Sequence, residues 1–226
     1  MKGLIVLLLT LCGIAAAQTT DSNSLEGLPQ YGVTLSGSLE NPIVENHSGK
    51  TVIGYVVKFA DANGRGEILN QLMAHSPMLP AGIPDGGSLY AKGAVPVNSN
   101  ARMPSPPQVR SAGQGPIVSV TLKNVVFGDG QFVGPNEHEV FENFGLRIKA
   151  IRELGILAKT GAWDQLDALA LSPGARSGPL PSGEDPRTYF ERRSIATRLV
   201  QEWKFKGDAA ASQLAEIYAS LPTLFK

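Results

Sequence analysis

His138 and Glu142 stand four residues apart, a spacing that sets both side chains on one face of a helix, where they could share a metal ion. With Glu139 adjacent, the pair His138 and Glu142 is the best metal-ligand candidate in the chain. The competing reading is as physical: acidic residues and a neutral histidine at a helix start are favoured by the positive end of the helix dipole without any metal. No third ligand is visible at a useful spacing, so the chain is assigned no metal, no catalytic residue and no cofactor.

Other chemistry is thinner. Gly49-Lys50-Thr51 looks like the end of a phosphate-binding loop, but Val44 stands where the first glycine should be. Asn46-His47-Ser48 has the form of a glycosylation acceptor and is read as coincidence. Neither Gly-x-Ser-x-Gly nor Ser-x-x-Lys occurs, and only His47, His75 and His138 could serve as imidazole bases. A pair of carboxylates across a cleft remains open as hydrolytic machinery. Trp163 and Trp203 are read as core or as lining for a groove, and Arg192-Arg193, near Arg187 and Arg198, as a basic face balanced by Glu191 and Glu202.

Composition bounds the setting in which these residues work. The chain has 226 residues, 42% apolar and 18% charged, with 20 basic and 20 acidic side chains, which is globular in character and carries no nucleic-acid footprint. Lys2, the apolar run 4–11 and Ala15-Ala16-Ala17 form the three parts of a signal peptide over 1–17. A lipoprotein anchor at Cys12 is the rival reading, although Leu11 occupies a position where a small residue is usual. The apolar run is too short for a membrane span. Removal of the signal takes away the single cysteine and with it all thiol and disulfide chemistry. The expected location is bacterial and exported, periplasmic or extracellular.

The elements that must position these residues divide at 117–137. Residues 117–127 alternate as a strand, Gly128-Asp129-Gly130 can turn, and Gln131-Phe132-Val133 can return as the second arm of a hairpin. Asn136, with Glu139 three residues on, predicts a helix start with a partial capping box. Charge density rises here too. Residues 18–136 hold 7 basic and 8 acidic side chains, and the shorter stretch 137–226 holds 12 of each.

Ahead of the division, 18–30 reads as a flexible leader and 31–136 as short strands separated by turns, with a long loop at 98–116. Tyr31 to Leu39, Thr51 to Phe59 and Ser88 to Val97 alternate, and Ile53, Tyr55, Val57 and Phe59 are read as one face. Beyond it, Val140, Phe144, Ile148, Ile151 and Leu154 recur at three and four, Trp163 to Leu171 makes a short helix, and Asp185-Pro186 opens another running to about Lys206. Gly207-Asp208 caps the last. The expected fold class is α+β: an N-terminal antiparallel β-sandwich over 31–136, then a helical region of three to four helices over 137–226.

The runs Leu35-Ser36-Gly37-Ser38-Leu39, Asn46-His47-Ser48-Gly49-Lys50 and Val56-Val57-Lys58-Phe59-Ala60-Asp61-Ala62-Asn63-Gly64 resemble small bacterial immunoglobulin-like β-sandwich modules that carry a Phe-x-Leu-Tyr-Asp signature. They are also similar to uncharacterised secreted proteins of soil bacteria. Phe59-Ala60-Asp61 stands where those modules have Leu-Tyr-Asp. The resemblance implies an immunoglobulin-like fold and no enzyme activity. Two functions are therefore weighed: a non-enzymatic envelope protein acting through protein or surface contacts, and a small secreted hydrolase with its site between the two halves. A homo-oligomer joined through apolar helix faces is a further possibility for partners. Converging His, Asp and Glu at the junction would favour the hydrolase; a filled apolar junction would favour the binding protein.

Overall fold

A computed structural model of the chain describes residues 24–75, 80–91, 115–172 and 185–222. The expected signal peptide, the strand residues expected at 92–97 and nearly all of the loop expected at 98–116 lie outside the described residues. Eight strands come first: Ser24–Glu26 (β1), Val33–Gly37 (β2), Pro42–Asn46 (β3), Val52–Ala60 (β4), Gly66–Leu72 (β5), Ser88–Tyr90 (β6), Ser119–Phe127 (β7) and Phe132–Val133 (β8). Four helices follow: Val140–Lys159 (α1), Trp163–Leu171 (α2), Pro186–Lys206 (α3) and Asp208–Ala219 (α4). The class is α+β, with strands preceding helices as the change of period predicts.

The strands form two sheets. The larger runs β1-β7-β4-β5, with β8 also on β7, and the smaller runs β2-β3-β6. β1 lies parallel to β7, Ser24 opposite Ser119, so the larger sheet is mixed where an antiparallel arrangement was expected. That strand also removes residues 24–26 from the expected leader. Three residues carry no legible period; they become a strand by borrowing the edge of β7. β3 was equally hidden, because Pro42 looks like a terminator. It sits opposite Gly37 as the first residue of its strand, a place where proline is tolerated, after a tight turn in which Asn41 N–H donates to Ser38 O at 3.1 Å.

β4 and β7 are buried almost throughout because both faces of the larger sheet are covered. One apolar cluster joins the two sheets: Val33, Val44 and Leu89 of the smaller meet Tyr55, Val57, Phe59, Val120, Leu122, Val125 and Phe127 of the larger. The other joins the larger sheet to the helices, through Ile53, Val56, Leu72 and Val126 on one side and Phe144, Ile148, Leu199 and Tyr218 on the other. The even alternation expected along each strand is broken by two irregularities, between Val52 and Gly54 and between Val56 and Val57 in the β4–β7 register. An extra residue inverts the faces beyond it. Ile53 therefore packs on the helix side while Tyr55, Val57 and Phe59 pack on the other, and Val120 and Leu122 share a cluster with Val125 and Phe127 rather than with Val126.

The hairpin and helices follow local chemistry closely. Gly130, at φ 88°, closes the β7–β8 turn, where Phe127 N–H donates to Gln131 O at 2.8 Å. Asp185 caps α3 by accepting Thr188 N–H at 3.0 Å, with Pro186 in the first turn. That backbone N–H first, and then the Thr188 hydroxyl at 3.1 Å, hold the Asp185 carboxyl below the usual range. Asp208 is not the cap of α4; it accepts the indole N–H of Trp203 at 2.8 Å.

Candidate functional site

The helix start expected at Asn136 forms in two steps. Glu137–Glu139 makes a 3-10 turn, and α1 begins only at Val140, after Glu139 takes a left-handed φ of 54°. Asn136 still serves the helix: its Oδ1 accepts Phe141 N–H at 2.9 Å and its Nδ2 donates to both Glu142 oxygens at 3.1 Å. The reciprocal partner expected at Glu139 is thus Glu142, one turn later. The Glu142 carboxylate, weighed as a metal-ligand candidate, accepts from an amide. The His138 side chain lies outside the described residues, and among those residues no group of three His, Cys, Asp or Glu is placed to hold a metal.

Residues 46–50 organise a loop. Asn46 is fully buried, donating to Lys50 O at 2.7 Å and Ile83 O at 2.9 Å and accepting the Ser48 hydroxyl at 2.6 Å. A side chain so enclosed is no glycan acceptor in the folded chain. Lys50 contacts Asp129 at 2.5 Å and Gln131 at 2.8 Å, so its ammonium ties the loop to the β7–β8 turn. The Lys50 hydrogen bond is the main reason the Asp129 carboxyl is held below its usual range. A shallow cleft of about 320 Å³ beside it is bounded by Tyr31, His47 and Gln131.

The junction between sheet and helices is filled. Phe144 packs so closely on β4 that a Cβ added at Gly54 would come within 2.8 Å of its ring. The Tyr218 hydroxyl donates to Ala74 O at 2.9 Å across the same boundary, and burial pushes its pKa up to about 12. Trp163 and Trp203, weighed as groove lining, stack on each other at 5.2 Å between α2 and α3.

Concavity lies instead on the outer flank of α3. Phe190, Ser194, Thr197, Arg198 and Gln201 recur at helical spacing along one side of a groove of about 680 Å³, with Arg193 beside them and Tyr218 of α4 at its floor. Phe190 is 43% exposed, and Arg193 Nε is shut off from solvent without a hydrogen-bond partner. Of the acids expected to balance this basic face, Glu191 contacts Arg147 of α1 at 3.0 Å and Glu202 accepts from Lys206 at 2.9 Å. Arg147 Nε reaches Glu191 as a charge contact, off the alignment of a hydrogen bond. Sequence reading took the arginines for an ordinary solvated face. The fourfold spacing of Phe190 and Ser194 beside them was the available signal.

Compared with known proteins, the chain matches no family model, no curated protein and no solved structure. No helix among the described residues is long and apolar enough to cross a membrane.

Proposed function

We propose that this chain is an exported protein of the bacterial envelope that works through protein or surface contacts rather than by turnover. The observation that carries this reading is the filled junction: Ile53, Val56, Leu72 and Val126 of the larger sheet are packed by Phe144, Ile148 and Tyr218. Among the described residues this close packing leaves no room for substrate between the halves, and it turns attention outward. The signal-like 1–17 segment supports export. The apolar cluster shared by the two sheets supports reading them as a β-sandwich of the immunoglobulin-like kind, a fold used widely for recognition.

The contact surface we assign to this function is the α3 groove. Aromatic and arginine side chains are over-represented among residues that dominate binding energy, and Phe190 and Arg193 are both present. Arg193 and Arg198 line the groove together with Glu202, whose carboxylate is taken by Lys206, and an incoming carboxylate would meet the guanidinium groups in a charge-assisted contact. The partner that fits is therefore an acidic protein segment with an apolar residue to set against Phe190. Capture from native envelope extract, comparing the unmodified chain with Arg193→Glu and Phe190→Ala, tests this assignment.

A further inference from the structure

The free side of β5 is a second surface, independent of the α3 groove. Among the described residues the other outermost strands are short: β1 and β6 have three residues each, β8 two and β2 five. β5 has seven and is the end of its sheet. Its register with β4 runs without a break from Gly54–Leu72 to Ala60–Gly66. Folded proteins blunt such edges with charged side chains, above all lysine, with proline or with a bulge, because a bare row of N–H and C=O groups invites another strand, and here the one such device is Glu67 near the end of the strand. Gly66-Glu67-Ile68-Leu69-Asn70-Gln71-Leu72 has no proline, no lysine and no bulge. Gly66, Glu67, Ile68 and Asn70 are all exposed, Ile68 to 47%, so neither the smaller sheet nor the helices cover this end.

We infer that β5 pairs antiparallel with β5 of a second copy, joining the two larger sheets into one. The occupant follows from symmetry and charge. A two-fold axis normal to the sheet keeps each residue on its own face, and successive residues face opposite ways, so the register must place some residue opposite itself. Centring on Leu69 engages all seven residues. It sets Ile68 against Asn70 of the second copy and Glu67 against Gln71 of the second copy. The single charge of the strand then meets an amide, and the two Glu67 carboxylates lie at opposite ends of the pair. Like charges opposite one another would oppose this pairing; here there are none.

Sedimentation over a concentration series tests the pairing, and the expected result is a reversible dimer. Ile68→Lys places two ammonium groups beside the axis and should raise the dissociation constant at least about tenfold with an unchanged far-ultraviolet spectrum. If that variant fails to fold, Asn70→Lys replaces it with the same expectation. Leu69→Cys, in a chain with Cys12→Ser, should form a disulfide-linked dimer, since directly paired strand residues lie within disulfide reach. A chain that stays monomeric throughout overturns the inference, including one that instead binds an extended peptide of another protein. A dimer indifferent to lysine on β5 and unlinked by Leu69→Cys overturns it equally.

Discussion

The hydroxyl of Tyr218 in α4 donates to the carbonyl of Ala74, 144 residues earlier, at 2.9 Å in a buried setting. Ala74 follows directly on β5, so this bond fastens the last helix to the end of the larger sheet's outer strand. The same ring floors the α3 groove. One side chain thereby links the filled junction to the proposed contact surface.

Tyr218→Phe keeps the ring and removes the bond. With the Ala74 carbonyl left unsatisfied, stability should fall by about 1–2 kcal/mol in denaturant unfolding. The alkaline limb should change as well. Burial raises the folded pKa from 10.0 to about 12, so the neutral hydroxyl's contribution is complete below pH 10 and is lost as pH rises through about 12. The unmodified chain should lose stability across that window, and Tyr218→Phe should lose less. Tyr55, which burial raises further, keeps the remaining slope.

Gly155 is where α1 and α4 touch. A Cβ there would lie 2.6 Å from both Tyr218 Cβ and Ala219 N. Alanine gains about 1 kcal/mol of helix propensity over glycine. Overpacking against backbone atoms costs about 3 kcal/mol, and the cost wins. Gly155→Ala should therefore lower stability by about 2 kcal/mol, visible as a drop of several degrees in Tm.

Asn46 donates to two carbonyls that each take a second donor, the Ser48 hydroxyl at Lys50 O and the Val52 N–H at Ile83 O. Asn46→Ala should cost about 2 kcal/mol by chemical denaturation, from the loss of two buried side-chain hydrogen bonds. Asn46→Asp keeps the shape but cannot donate, and at neutral pH should cost at least as much. An effect below about 1 kcal/mol for either would show that water replaces the amide.

The order of elements was legible because period and punctuation agree: a strand at Ser119–Phe127, the glycines at 128 and 130, the Asp185-Pro186 helix start and the α1 stripe all reappear in the fold. What escaped was anything set by a distant partner. β1 exists because β7 offers an edge, β3 because Gly37 receives Pro42, and the inverted faces of β4 and β7 because single extra residues shift the register. The site divides similarly. Asn136 was recognised as a helix-start residue, but its partner is Glu142, which the spacing offered only as a metal-ligand candidate. The α3 arginines were legible only as charges, since the contact of Glu191 with Arg147 of α1 is set across a helix interface.

The central claim is that the chain acts by contact at the α3 groove and not by turnover at the junction. Its most direct measurement is capture from native envelope extract on immobilised unmodified chain, Arg193→Glu and Phe190→Ala, each shown to be folded, beside turnover on an ester, peptide and glycoside panel. The account predicts an acidic partner retained by the unmodified chain, depleted at least about tenfold by either variant, and no turnover. An unchanged set of captured proteins, or measurable turnover that survives both groove variants, would contradict it.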